Sequence, residues 1–348
     1  MTRRRFPALV PLALCLLPAA AGQTGAIRGP VSGVVYDGAA RAIRPVIGIP
    51  GAAYLGPAAA SGIDFARIAP DGRRAVVLAG GTLYFVRGLR NGELRWRILE
   101  QRASADRAAW SPDSRTVAVW SADQGRLRVW TGLTDEVAAA DHRETRGSRF
   151  RAARRAGPAP RLEDLGAVDG SITALAVDGG GQVVYAVPGG LYLARGDSPA
   201  SLIAPADEPV ALVVVESALF VADRARDEIL EIRSYDTSPD ITLFAGPGLG
   251  VDDPVALAVI DGGRTLLAAE AQPRRLEFFD VATRARKAEL EVSIQPTRLA
   301  PLGERFWLLN DRVSGSDTLY VLDSAGRPAV YFIPAGDSAG AAATPVED

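Results

Sequence analysis

An all-β fold built from one repeated four-stranded unit is what this chain predicts, and three observations predict it. Short apolar runs broken by Gly, Asp and Glu turns recur along the sequence. The turn residues Asp71, Asp113, Asp178, Glu216, Asp261 and Gly303 fall 42, 65, 38, 45 and 42 residues apart, and a period of about 40–50 residues is the spacing of propeller blades. Almost no stretch keeps a 3.6-residue apolar stripe for three turns, so helices are not expected. The reading is an all-β β-propeller of seven four-stranded blades, with six blades plus an N-terminal hairpin as the alternative.

The elements follow in order. Residues 1–21, MTRRRFPALVPLALCLLPAAA, have a charged start, an apolar stretch from Phe6 to Leu17 and a small-residue end, the layout of a cleaved export signal. The apolar stretch falls short of the roughly 20 residues a membrane span needs. Cys15 follows Leu14, where a lipoprotein signal needs a small residue, so no lipid anchor is expected. Residues 22–61 hold strand-like VSGVVYD and AIRPVIGI, assigned to closing or completing the ring. Residues 62–334 carry six copies of the repeat, such as IDFARIAPDGRRAVVLAGGTLYFVR at 63–87 and ITALAVDGGGQVVYAVPGGLYLAR at 172–195. A fourth run, for example RWRILE at 95–100 or DITLFAG at 240–246, follows the third run in most copies. Runs such as AVVLA and VVYAV are apolar throughout rather than alternating, as expected of strands covered on both faces. The 65-residue interval contains an arginine-rich insertion at 141–161, and the small, polar tail 335–348 is expected to be disordered.

Two kinds of repeat are similar to known families. APDGRRAVVLAGGTLYFV and WSPDSRTVAVWSADQGRLRVW resemble TolB-type and WD-repeat blades, while FAGPGLGVDDPVALAV with ALFVADRARDEILEI resembles NHL-type blades. The resemblance spans residues 62–334 and implies a bacterial exported β-propeller. It departs from the WD pattern where function would be read: the chain has one histidine, His142, and Trp130 is followed by Thr131 rather than Asp.

Composition narrows the chemistry. Net charge is -2, so no global field points to nucleic acid. Lys287 is the sole lysine, and the abundance of arginine reads as codon bias. Loss of the leader removes Cys15, so the mature chain has no thiol and no disulfide. One histidine excludes a histidine-based zinc or haem site, and no G-x-S-x-G elbow or phosphate-cradling G-x-x-x-x-G-K-[ST] loop is present. The tryptophans Trp110, Trp120 and Trp130 sit in strand-like runs and read as packing.

Two constellations remain as candidate sites. The insertion offers Arg143, Arg146, Arg149, Arg151, Arg154 and Arg155 for an anionic partner, or a plain solvated loop. The ends of the second strands align Asp223, Glu270 and Asn310, with Asp123 and Asp311 close by, on one rim of the ring. Oxygen ligands of this kind suit calcium, and gluconolactonase-like propellers use a comparable set. The competing expectation is that Asp223 caps its strand and that Arg226, Arg274 and Arg312 pair with these acids. The function expected is an exported, monomeric, non-catalytic propeller binding a protein or small molecule on one face, without cofactor. The alternatives are a metal-dependent lactonase- or lyase-like enzyme and a subunit of an envelope assembly, periplasmic or extracellular in every case.

Overall fold

The computed structural model describes residues 30–49, 51–135, 159–196, 198–303 and 305–334. They form seven antiparallel sheets of four strands each, arranged as the blades of a propeller. In blade 2 the order from the axis outward is β5 (Phe65–Ile68), β6 (Arg74–Ala79), β7 (Thr82–Arg87) and β8 (Arg95–Gln101). The inner strands of blades 3 to 7 are Arg107–Trp110, Ala174–Val177, Pro209–Val215, Pro254–Ile260 and Ala300–Pro301. Among the described residues helix is confined to three one-turn 3-10 segments, and no helix is long and apolar enough to cross a membrane.

Burial follows strand rank, which explains the runs that fail to alternate. The second strands Val117–Ser121 and Thr265–Glu270 are buried at every position, whereas the outer strand Arg286–Glu291 is almost wholly exposed. A middle strand has both faces covered by neighbouring blades, so each of its side chains leaves water. The core is therefore a series of interblade layers rather than one centre. Between blades 5 and 6, for instance, Phe244 meets Phe220 and Phe279 edge-on, with centroids 5.1 and 6.0 Å away.

Blade 1 is built differently. Its strands are β1 (Val31–Asp37), β2 (Ala42–Ile47), β3 (Tyr54–Leu55) and β4 (Ala60–Ser61), and both β3 and β4 pair with the far edge of β2. Two recurrent backbone bonds fix their rank. In blades 2, 3 and 6 a residue just past the outer strand donates to the turn between second and third strands: Ala103 to Gly81, Val168 to Gly125, Val292 to Arg274. A residue past the third strand donates to the first turn: Leu89 to Arg73, Leu133 to Arg115, Val281 to Arg264. Blade 1 makes the same two bonds as Ile63 to Arg41 and Gly48 to Pro30. Hence β1 occupies the second rank, β2 the third, and β3 with β4 the outer rank; among the described residues no strand lies inside β1.

Among the described residues the N-terminal strands thus fill a blade of their own and do not pair with the last one. Blade 1 closes on blade 7 by side-chain packing of Val35, Val46 and Leu55 against Leu302, Leu308 and Val321. A buried ion pair joins Asp37 to Arg312, with Arg44 3.1 Å away on the same carboxylate and Ala39 N–H donating to the Arg312 carbonyl.

Candidate functional site

The inner strands enclose a central channel of about 440 Å³. Blades 4, 5 and 6 line it with Thr173-Ala174-Leu175, Val210-Ala211-Leu212 and Val255-Ala256-Leu257. In blades 2, 3 and 7 the same places are taken by Phe65-Ala66-Arg67, Asp106-Arg107-Ala108 and Thr297-Arg298-Leu299, and blade 1 contributes Tyr36. One arc of the wall is apolar, and the arc from blade 7 through blades 1 and 2 to blade 3 carries three guanidinium groups.

The turns between second and third strands surround one mouth of this channel. They are held by carboxylates at the start of the inner strands: Asp64 accepts the Gly80 N–H at 2.9 Å, and Asp106 accepts the Ala122 N–H at 2.7 Å. Blade 5 reverses the direction. There Asp223, at the end of the second strand and fully buried, accepts the N–H groups of Asp207 and Glu208 at 2.8 and 2.9 Å.

The rim residues singled out in the sequence fall into distinct environments. Glu270 is fully buried, accepts the Asp252 N–H at 3.1 Å and meets Arg275 Nε at 2.5 Å. Burial pushes its carboxyl up to about 7; the nearby Glu277 charge adds to the shift, and the Asp252 N–H and Arg275 oppose it. Asn310 closes its own loop, donating to the Thr318 carbonyl and accepting the Tyr320 N–H, each at 2.9 Å. Asp311 is exposed at the channel mouth and pairs with Arg298. Asp123 is exposed at the tip of its turn. Among the described residues no three or more His, Cys, Asp or Glu side chains are grouped so as to hold a metal ion. Asp223, Glu270 and Asn310 are each engaged by donors or acceptors of their own blade.

The arginines beside them do not pair as a column. Arg226 binds Asp207 at 2.7 Å and lies 3.9 Å from Asp223, while Arg312 reaches across the seam to Asp37. The six insertion arginines from Arg143 to Arg155 lie outside the described residues, between the third and outer strands of blade 3.

Three residues with chemistry escaped the sequence reading: Arg67, Arg107 and Arg298. The signal was present, because the copies PVAL, PVAL and ITAL become PTRL, DFAR and ADRA in the other blades. In a chain whose basic residues are almost all arginine, that difference does not stand out.

No family model and no curated protein matches the chain. Solved propellers do. Hsv2 of Kluyveromyces lactis aligns with a TM-score of 0.51 at 10% identity, over 76% of this chain and 74% of its own. The β-propeller domain of Cps50 (Swd1) from Myceliophteria thermophila gives 0.51 at 12% identity, over 78% of this chain and 86% of its own. The likeness is one of fold. The chain is a seven-bladed β-propeller.

Proposed function

We propose that this protein is an exported, non-catalytic binding module that takes a protein or small-molecule ligand on the face bearing the second-to-third strand turns. What supports the reading is the division of labour among the rim groups. Asp223, Glu270 and Asn310 are consumed in ordering their own loops, while Arg107, Asp123 and Asp311 stand exposed around the channel mouth. A group already satisfied by protein donors is poorly placed to carry out acid–base or metal chemistry. Export rests on the leader-like residues 1–21, and predicts a mature chain beginning at Gly22.

The test is positional. A photo-crosslinking residue replaces Asp123 on this face, or Arg115 in the first turn on the opposite face, and the protein is recovered from intact cells. Native mass spectrometry of the purified protein looks for a retained small molecule. Capture from position 123 but not from 115, or a retained ligand, supports the reading. Equal capture from both faces, or neither capture nor a retained mass, overturns it.

A further inference from the structure

The central channel is lined as an amphipathic cavity, and its charges are not balanced from within. Arg298 is paired with Asp311. Arg67 and Arg107 make no side-chain hydrogen bond or ion pair among the described residues. The remaining acid facing the channel, Asp106, spends its carboxylate on the Ala122 N–H at the rim. Three guanidinium groups therefore share the space with two carboxylates, both already engaged. The Arg298 Nε is buried without a partner.

Arg67 is the most exposed to this imbalance. It sits on β5, half-buried because it faces the cavity, with protein on every side of that cavity. Burial pushes its guanidinium down to about 10, the charge of Arg298 and then that of Arg107 adding to the effect while Asp311 opposes it. Holding an unpaired charge in such a place costs stability, and the cost is removed when an anion enters. The guanidinium fork matches a carboxylate or phosphate group in two parallel hydrogen bonds.

The opposite arc selects the rest of the ligand. Leu175, Leu212 and Leu257, with Val210 and Val255, offer no polar side chain to a ligand pressed against them. The volume of about 440 Å³ lies within the range of small-molecule sites, roughly 300–1,000 Å³.

We propose that the channel binds an amphiphilic anion, its carboxylate or phosphate head on Arg67 and Arg107 and its apolar body on the aliphatic wall of blades 4 to 6. The inference deepens the binding reading above and rests on it for the face through which the ligand enters.

Hexanoate, hexyl phosphate, acetate and hexanol are the probes, titrated by calorimetry and by thermal shift into the mature protein and its Arg67→Met and Arg107→Gln variants. Hexanoate or hexyl phosphate should bind at least about tenfold more tightly than acetate, because four added methylenes meet apolar wall. Hexanol should bind at least about tenfold more weakly than the better anion, having no charge for the guanidiniums. The stronger of the two anions identifies the head. Arg67→Met should raise the melting temperature of the unliganded protein by about 1–2 °C, since it removes an unpaired charge. The same variant should weaken the anion at least about tenfold.

Gain of stability with loss of binding is a result a purely structural arginine would not give. If Arg67→Met fails to fold, Arg107→Gln at the exposed mouth must still weaken the anion. Equal binding of hexanoate and acetate overturns the apolar half of the proposal. Binding that neither variant changes by more than about twofold overturns the whole. Loss of anion binding with face-specific crosslinking intact overturns this inference alone and leaves the binding reading standing.

Discussion

Asp223 and Glu270 hold aligned places at the ends of second strands in adjacent blades, both fully buried, yet their surroundings give them opposite effects on stability. Asp223 receives two backbone N–H groups at hydrogen-bond distance. Asp223→Ala should destabilise the fold by about 2–3 kcal/mol, measured by urea titration, because both donors lose a charged acceptor. Glu270 shares one arginine with a second buried acid: Arg275 lies 2.5 Å from Glu270 and 3.4 Å from Glu277, and burial also raises the Glu277 carboxyl. A carboxyl whose folded pKa is raised binds its proton more readily in the folded state. Its contribution is therefore favourable at low pH and lost as pH rises from about 4.5 to about 7. Glu270→Gln should equal or exceed the wild type at pH 8, by at most about 3 kcal/mol, and lose that advantage at pH 5. Urea midpoints at the two pH values check this, and an advantage at pH 5 that disappears at pH 8 would reverse the sign. None of these environments is readable from the sequence, which shows two acids after apolar runs. The donors come from residues 15 to 18 positions away and from the neighbouring strand.

At the scale of elements the sequence was far more explicit. The Gly, Asp and Glu turns mark the first hairpins, and the wholly apolar runs coincide with the second strands that the ring buries on both sides. The channel wall was legible too, as the difference between VAL or TAL and FAR, DRA or TRL. Arginine richness hid it, since an unusual arginine does not stand out in a chain with a single lysine. The rank of β1 was not legible, because VSGVVYD reads equally well as an inner or a second strand; only its backbone bonds to neighbouring turns decide. Interblade layers are where elements become cooperative. Phe244 sits between Phe220 of its own blade and Phe279 of the next, with interplanar angles of 82° and 81°. Phe244→Ala should cost about 3–5 kcal/mol, because the ring of aromatics on either side cannot collapse into the space left. Denaturant unfolding monitors the loss, and a cost below about 1 kcal/mol would show that this layer is not under packing constraint.

At the scale of the whole molecule the seam between blades 7 and 1 decides whether the ring is one cooperative body. Six junctions are bridged by a covalent connection from an outer strand to the next blade, and the seventh is not. Across it run an apolar layer and the Asp37–Arg312 pair, whose members stand 275 residues apart and so were beyond any local reading of the sequence. Asp37 is fully buried and Arg312 nearly so, and Arg44 supplies a second positive group to the same carboxylate. Taking one partner from a buried pair costs about 3–5 kcal/mol where nothing else compensates the charge left behind, and removing both costs much less. Because Arg44 stays on Asp37, Arg312→Met should destabilise the protein by about 1–3 kcal/mol, the worth of one charged hydrogen bond. Asp37→Asn should add little in the Arg312→Met background, a coupling that a double-mutant cycle by urea denaturation measures directly. Because the apolar layer depends on the same contact, opening the seam exposes the facing surfaces of both blades. Arg312→Met should accordingly become susceptible to proteolysis within blades 1 and 7 before blades 3 to 5 are cut. Uniform cleavage around the ring, or additive effects of the two substitutions, would mean that the apolar layer alone holds the ring shut.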